Sequence, residues 1–181
     1  MAIRDTLMTA AELWQLPDDG QRRELVRGEL RTMAPPGEEH AWLMVKLVVP
    51  LAQHVHARAL GRVYGELGCK LEADPDTVRA PDVAFIRQER LPGPAQRSYW
   101  SGAPDLVVEV VSPNDRYSEV DDKVATWLAH GTSMVLVVNP RWRTVLVHRP
   151  GQPPRLLTEG DVLDGQDVVP DWQLPVREIF S

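Results

Sequence analysis

A single glutamate interrupts an otherwise aliphatic run, Asp105-Leu106-Val107-Val108-Glu109-Val110-Val111. Alternation along a strand would place Glu109 on the same face as Val107 and Val111. A continuous aliphatic run is typical of a strand that is covered on both faces of its sheet. A carboxylate among such neighbours is costly unless it is paired or bound to a cation. Glu109 is therefore either satisfied by a nearby arginine or part of a cation site.

A second carboxylate stands at the start of another predicted strand, in Pro81-Asp82-Val83-Ala84-Phe85-Ile86. Asp105 also follows a proline, but it precedes Glu109 by four residues on one strand, which separates them by roughly 13 Å. One ion with ligands at about 2.1 Å cannot join groups that far apart. Neighbouring strands lie only about 4.8 Å apart. Geometry therefore favours Asp82 as the partner of Glu109.

Lys123 is the basic residue that the chain could bring to these carboxylates. It lies on a predicted helix over residues 118–130, after the turn Ser112-Pro113-Asn114-Asp115. A helix at this place folds back from the end of the aliphatic strand, so the lysine can reach the carboxylates. The alternative is a surface lysine beside Asp121 and Asp122, and spacing alone does not choose between the two.

The remaining elements follow from periodicity and from breaker residues. Thr9-Ala10-Ala11-Glu12 predicts a capping box that opens a short helix. Residues 24–33 predict a hairpin, and residues 38–60 a helix with a kink or a break at Pro50. Further strands are predicted over residues 62–72, 78–86, 105–112, 134–139, 144–149, 155–158 and 161–163. The pattern predicts one mixed α/β (α+β) domain over residues 1–181, with a mixed β-sheet core flanked by helices.

Composition limits the class of protein. The chain has 181 residues and a net charge of −6, which weighs against a general nucleic-acid coat protein. Its single cysteine, Cys69, cannot form an internal disulfide. The start MAIRDTLMTAAEL has no apolar region of a signal peptide, and no stretch approaches the roughly 20 apolar residues of a membrane span. We therefore expect a cytoplasmic protein that does not enter a membrane.

Several common catalytic motifs are missing from the sequence. It contains no GxxxxGK[ST], GxGxxG, CxxC pair or HExxH, and Ser112 is not in a GxSxG turn. His54 and His56 resemble a ligand pair, but residues i and i+2 on a helix point about 200° apart. A solvated helix face is favoured there over a zinc site.

The spacing of these carboxylates and the lysine resembles the PD-(D/E)xK nuclease superfamily. More specifically, the chain resembles the bacterial Uma-type putative restriction endonuclease family. The chain departs from the superfamily pattern at Val111, where a lysine usually follows the glutamate by two residues, and Lys123 would be the relocated lysine. Smaller departures are Arg27 and Asn139, where the family usually has an aspartate. The resemblance runs through these segments: Glu24-Leu25, Gly28-Glu29-Leu30, Pro35-Pro36 with His40, Pro81-Asp82-Val83, Pro104 to Pro113, Lys123, Ala129-His130-Gly131 and Val137-Val138-Asn139-Pro140.

The resemblance implies a restriction-endonuclease-like fold and a metal-dependent endonuclease that hydrolyses DNA phosphodiester bonds. Asp82 and Glu109 would hold Mg²⁺ or Mn²⁺, with the Val110 carbonyl as an extra ligand. Lys123 would orient or deprotonate the attacking water and stabilise developing negative charge. A divalent cation beside it would push this lysine toward its neutral form.

Two further positions match the family and would line the site. They are Glu24, otherwise a surface residue of the hairpin, and His40, otherwise a contact at the start of a helix. Homodimerisation is expected because related nucleases cut two strands with paired sites.

Two other functions share the same residues. One is a catalytically silent nuclease-like module that acts in binding or assembly, which Val111 and the acidic charge favour. The other is a metal-dependent hydrolase of another phosphoester.

For two sets of side chains the sequence does not decide between a functional contact and an ordinary structural role. Six arginines either line a substrate groove or are solvated: Arg22, Arg23, Arg27, Arg31, Arg58 and Arg62. Three tryptophans are either exposed or part of the core: Trp100, Trp142 and Trp172.

Overall fold

The computed structural model describes residues 7–95, 97–113 and 115–181. The helices are α1 (Ala10–Trp14), α2 (Glu38–Ala57), α3 (Tyr117–Ala129) and α4 (Val176–Ile179). The strands are β1 (Arg22–Val26), β2 (Glu29–Met33), β3 (Gly61–Gly65), β4 (Cys69–Glu72), β5 (Thr77–Arg79), β6 (Val83–Arg87), β7 (Trp100–Ser101), β8 (Leu106–Val110), β9 (Met134–Asn139), β10 (Thr144–His148), β11 (Arg155–Leu157), β12 (Val162–Asp164) and β13 (Gln173–Pro175). Asn114 of the predicted turn and the first six residues lie outside this description.

The described strands form two main sheets and a small hairpin. One sheet has the order β2-β1-β5-β4-β7, the other has the order β11-β10-β9-β8-β6-β3, and β12 pairs with β13. In the larger sheet, β8 runs parallel to β9 and antiparallel to β6. This mixed pattern with flanking helices confirms the predicted fold class. No helix among the described residues combines the length and the apolar character that crossing a membrane requires.

Strand β8 lies at the centre of the packing, as its aliphatic run predicts. Val108 and Val110 pack in a cluster that contains the buried face of α2, whereas Val107 packs in a cluster with Trp127 of α3. All five residues of β8 are buried. Because both faces are covered, the strand has no solvent-facing side to which a charged residue could turn.

A kink or a break was predicted at Pro50; helix α2 runs without a break from Glu38 to Ala57, so the break is wrong. A proline inside a helix costs about 3 kcal/mol because it removes one hydrogen bond and crowds the preceding turn. The helix buries Leu43, Leu47, Leu51 and Val55 on the larger sheet. The burial of about 1.5–3 kcal/mol per large apolar side chain outweighs the cost of the proline.

Two predicted strands are each divided in the structure. The strand over residues 62–72 becomes β3 and β4, which belong to different sheets. The strand over residues 78–86 becomes β5 and β6, also in different sheets, with Pro81 between them. A proline has no N–H to donate to a ladder, so it is a natural point for the chain to leave one sheet and enter the next.

The N-terminal predictions are confirmed. Thr9 caps α1, and its side chain and that of Glu12 form both bonds of the capping box. The hairpin turns at Arg27 and Gly28, which have φ values of 51° and 80°. This hairpin places β1 beside β5, and so brings Glu24 next to the residues that follow β5.

Candidate active site

Two residues of α3 contact the Glu109 carboxylate. Lys123 Nζ lies 3.0 Å from Glu109 Oε2, and the Trp127 indole donates a hydrogen bond of 2.8 Å to Oε1. Lys123 and Trp127 are four residues apart and therefore share one face of the helix. The Glu109 residue is only 4% exposed, so both of its oxygens are satisfied by protein donors in a buried setting.

Asp82 lies just before β6 and receives donors from three elements. The register that pairs Val83 with Val108 continues to place Asp82 opposite Glu109. The Val110 N–H donates to Asp82 Oδ2 at 2.7 Å, and Arg22 Nη1 of β1 donates to Oδ1 at 2.9 Å. His40 Nε2, from the first turn of α2, lies 3.2 Å from Oδ2. Asp82 therefore links both sheets and α2 at one point.

Glu24 is buried on β1, with 2% exposure, so it is not a surface residue of the hairpin. Its Oε1 accepts a hydrogen bond of 2.9 Å from the Ala80 N–H, and its Oε2 lies 3.2 Å from Arg79 Nη1. Its carboxylate therefore contacts the segment that connects β5 to Asp82.

Two adjoining cavities open onto these side chains. A cavity of about 380 Å³ is lined by Glu24, Glu109 and Lys123, among others. A second, of about 510 Å³, is lined by His40, Asp82 and again Lys123. Lys123 lines both cavities, so the five predicted site residues border two neighbouring cavities that share this lysine.

The pKa of Asp82 is lowered by its partners. Burial alone would raise it, but His40, the Val110 N–H and Arg22 outweigh burial and hold the pKa of the carboxyl below its ordinary value. The pKa of His40 changes in the complementary direction. Burial would lower it, and the hydrogen bond and charge of Asp82 raise it overall. The two groups thus stabilise each other's charged form.

Burial and nearby charges determine the directions in which the pKa values of Glu109 and Lys123 shift. Burial raises the pKa of Glu109, opposed mainly by the charge of Lys123. Burial would lower the pKa of Lys123, but Glu109, Glu24 and Asp82 together raise it above its ordinary value. In the protein without a metal, Lys123 is therefore held in its protonated form.

The chemistry of the donors fits a hard divalent cation. Asp82 and Glu109 supply carboxylate oxygens, the ligands that Mg²⁺ prefers. In the register of β6 and β8, Pro81 falls opposite Val110, and a proline has no N–H to donate to the Val110 carbonyl. That carbonyl is therefore a suitable third oxygen. Within the described residues no group of three or more His, Cys, Asp or Glu side chains is arranged to hold a metal, so water would have to complete the coordination.

The structure brings together all five side chains that the sequence singled out, and it keeps Asp105 apart. Asp105 pairs instead with Arg90, whose Nη1 lies 3.0 Å from Oδ2. His54 contacts the Pro170 carbonyl through Nε2 at 2.8 Å rather than pairing with His56. Both outcomes agree with the distances expected from strand and helix geometry.

The structure assigns different roles to the arginines and tryptophans that the sequence left undecided. Arg22 belongs to the site, whereas Arg23 pairs with Asp19 and Arg58 with Asp171. Trp172 is a core residue at 2% exposure, Trp100 is half-buried, and Trp142 is 61% exposed. Of the six arginines, these three are therefore engaged in ion pairs and are not free to line a groove.

Two site residues were missed by the sequence reasoning: Trp127, which donates to Glu109, and Arg79, which pairs with Glu24. A signal for Trp127 was present, because residue i+4 from Lys123 shares its helix face. Arg79 gave no such signal, because its partner lies on a distant strand that tertiary folding brings close.

Comparison with known proteins agrees with this architecture. A crystal structure of a putative nuclease belonging to DUF820, from Anabaena variabilis ATCC 29413, matches with a TM-score of 0.83 and 22% sequence identity. The match covers 96% of this chain and 97% of that chain, and it confirms the predicted fold. No curated protein matches the chain significantly. Residues 10–177 match the model of the Uma2 family, described as putative restriction endonuclease, and the chain therefore belongs to that family.

Proposed function

We propose that this protein is a metal-dependent endonuclease that hydrolyses DNA phosphodiester bonds. The observation that carries the proposal is that Lys123 contacts Glu109 and lines both the cavity at Glu109 and the cavity at Asp82. These residues come from the start of β6, from β8 and from α3, and they combine two carboxylates with one lysine. Membership in a family described as putative restriction endonuclease supports DNA as the substrate.

Each site residue has a distinct task in this proposal. Asp82, Glu109 and the Val110 carbonyl would hold Mg²⁺ or Mn²⁺. When bound, the metal would supply charge neutralisation at the scissile phosphate and an activated water. Lys123, which the surrounding carboxylates keep protonated, would donate hydrogen bonds to the negative charge that develops on the phosphate. Arg22 and His40 would hold the Asp82 carboxylate in position.

A cleavage assay tests this proposal. Purified protein is incubated with supercoiled plasmid, linear duplex and single-stranded DNA, with Mg²⁺, with Mn²⁺ or with EDTA. We expect cleavage only with the metals, and its loss in Glu109→Gln and Lys123→Ala under conditions in which circular dichroism shows that both variants are folded. Lys46→Ala is the matched control, because Lys46 lies on α2 with its Nζ 5.4 Å from the Trp42 ring. Full activity in either site variant would refute the assignment.

A specific observation favours the alternative of a silent binding module. All four oxygens of Asp82 and Glu109 already accept hydrogen bonds from protein donors. Calorimetric titration with Mg²⁺ and Mn²⁺ separates the two functions, because a carboxylate oxygen has a second lone pair that a metal can use. We expect heat of binding in the wild-type protein and its loss in Asp82→Asn. No binding at neutral pH would favour the module.

The remaining predictions concern organisation and setting. That residues 1–181 form one domain, that the protein is a homodimer and that it is cytoplasmic stay predictions. Sedimentation of the purified protein at several concentrations would test the dimer. The alternative of a metal-dependent hydrolase of another phosphoester is tested by adding a small phosphodiester as a further substrate to the cleavage assay. Such an enzyme would cleave the small phosphodiester and leave DNA intact.

A further inference from the structure

Two large aromatic side chains stand exposed beside the candidate active site. Tyr117 is 69% exposed at the start of α3, and Trp142 is 61% exposed in the turn between β9 and β10. The Trp142 indole nitrogen lies 3.5 Å from the Tyr117 hydroxyl. We call these two residues, together with Arg116 and Arg141, the aromatic clamp. Two exposed aromatic rings in contact form a local apolar surface on which a ligand can pack.

The turn that carries Trp142 is well braced. The Trp142 N–H donates to the Asn139 side chain at 3.2 Å, and the Arg143 N–H donates to the Pro140 carbonyl at 3.3 Å. These bonds fix the backbone of the turn from which the indole projects. A fixed backbone reduces the conformational entropy that the turn loses when a ligand binds.

Chain connectivity places the clamp at the rim of the candidate active site. Pro140 and Asp115 both line the cavity of about 510 Å³ that also contains Asp82 and Lys123. Trp142 is two residues beyond Pro140, and Tyr117 is likewise two residues beyond Asp115. Each aromatic Cα is therefore within about 8 Å of a residue that lines this cavity.

The charges around the clamp suit a nucleic acid. Arg141 lies over the Trp142 ring, with its guanidinium carbon 5.2 Å from the ring centroid. Among the described residues, neither Arg116 nor Arg141 forms an ion pair, whereas Arg22, Arg23 and Arg58 all do. Because Arg141 covers one face of Trp142, the clamp offers the other face of Trp142 and the Tyr117 ring, together with two guanidinium groups that form no ion pair among the described residues.

We propose that the aromatic clamp binds unpaired bases of single-stranded DNA next to the candidate active site. Bases stack on Trp142 and Tyr117, and Arg116 and Arg141 contact the flanking phosphates. Stacking of this kind needs an open base face, which duplex DNA does not offer within its stack. The clamp thus deepens the proposed nuclease function, on which it rests, by selecting a single-stranded segment as the bound part of the substrate.

The test measures binding without cleavage. Fluorescence anisotropy of a labelled oligonucleotide of about 12 nucleotides is followed in EDTA, so that no metal-dependent reaction contributes. We expect Trp142→Ala to raise the Kd for the single strand about tenfold, and Trp142→Phe to keep most of the affinity. Trp42→Ala is the matched control, because Trp42 is 55% exposed and also lies near a cation, Lys46. It should leave the Kd unchanged.

Three outcomes would overturn the clamp. They are an unchanged Kd in Trp142→Ala, an equal loss in Trp42→Ala, and equally tight binding of a blunt duplex by the wild-type protein. The cleavage assay reports separately on the nuclease proposal. Metal-dependent cleavage with an unchanged Kd in Trp142→Ala would reject the clamp and retain the nuclease. If the wild-type protein binds the single strand through Trp142 but cleaves no DNA with either metal, the clamp is retained and the nuclease proposal is rejected.

Discussion

Replacing Lys123 with methionine should destabilise the fold strongly at neutral pH. The substitution keeps a long unbranched side chain but removes the ammonium group that lies 3.0 Å from Glu109 Oε2. The Lys123 side chain is 23% exposed and that of Glu109 5%, so the variant would leave a nearly buried carboxylate with only the Trp127 N–H as donor. Breaking a buried pair from one side costs about 3–5 kcal/mol. That is a large part of the roughly 5–15 kcal/mol by which domains are stable.

The loss should depend on pH. The folded-state pKa of Glu109 is already raised by burial, and Lys123 is the main influence that opposes the rise. Without Lys123 the pKa rises further above its unfolded value. A group with a raised folded pKa is fully stabilising below its unfolded pKa and loses this stability as pH rises through the folded value. The deficit of Lys123→Met should therefore be larger at about pH 8 than at about pH 5.

Urea denaturation followed by circular dichroism measures these free energies. Arg58→Met is the matched control, since Arg58 pairs with Asp171 and the two side chains are 50% and 71% exposed. An exposed pair contributes about 0–1 kcal/mol. The double variant with Glu109→Gln should recover much of the loss, because neither charge remains. Equal losses in Lys123→Met and Arg58→Met, or a loss below about 1 kcal/mol in Lys123→Met at pH 8, would show that burial does not make the Lys123–Glu109 pair costly to break.

Three further predictions concern other parts of the chain. Because the pKa of Asp82 is lowered in the folded protein, its carboxylate stabilises the fold above the unfolded-state pKa, and this stabilisation is lost as pH falls. Asp82→Asn should therefore flatten the plot of unfolding free energy against pH below about pH 4. An unchanged plot would contradict this. Burial raises the pKa of Cys69 to about 12, so a thiol reagent at pH 8 should react only after unfolding, and fast labelling of the folded protein would be inconsistent. Gly61→Ala should destabilise the protein far more than Gly160→Ala in thermal unfolding. A Cβ at Gly61 would lie 2.0 Å from the Ile86 carbonyl oxygen, whereas a Cβ at Gly160 would have no atom within 4 Å. Similar losses of stability in the two variants would argue against the contact.

Local patterns predicted much of the fold. The capping box at Thr9 and the strand over Met134–Asn139 are found at the predicted positions. Helix α3 is displaced by only one residue at each end from the predicted range of 118–130. These elements depend on hydrogen bonds and apolar periodicity within a few residues, which the sequence displays directly.

The division of strands between sheets was not predictable in the same way. The segment over residues 78–86 has continuous strand character, yet β5 and β6 pair with different partners. Pro81 marks the point of change, but a proline also occurs at the edge or the first position of an undivided strand. The choice depends on which distant strand offers a partner, and that is a property of the whole chain.

Strand alternation and chain connectivity were enough to predict a glutamate in a strand covered on both faces, an aspartate at the entry of another strand, and a lysine on the helix that follows. That Lys123 contacts Glu109 rather than solvent, and that Arg22, His40 and the Val110 N–H converge on Asp82, depends on the packing of distant elements. Once packing removes the two carboxylates from water, each must obtain hydrogen-bond donors from the elements that folding brings within reach.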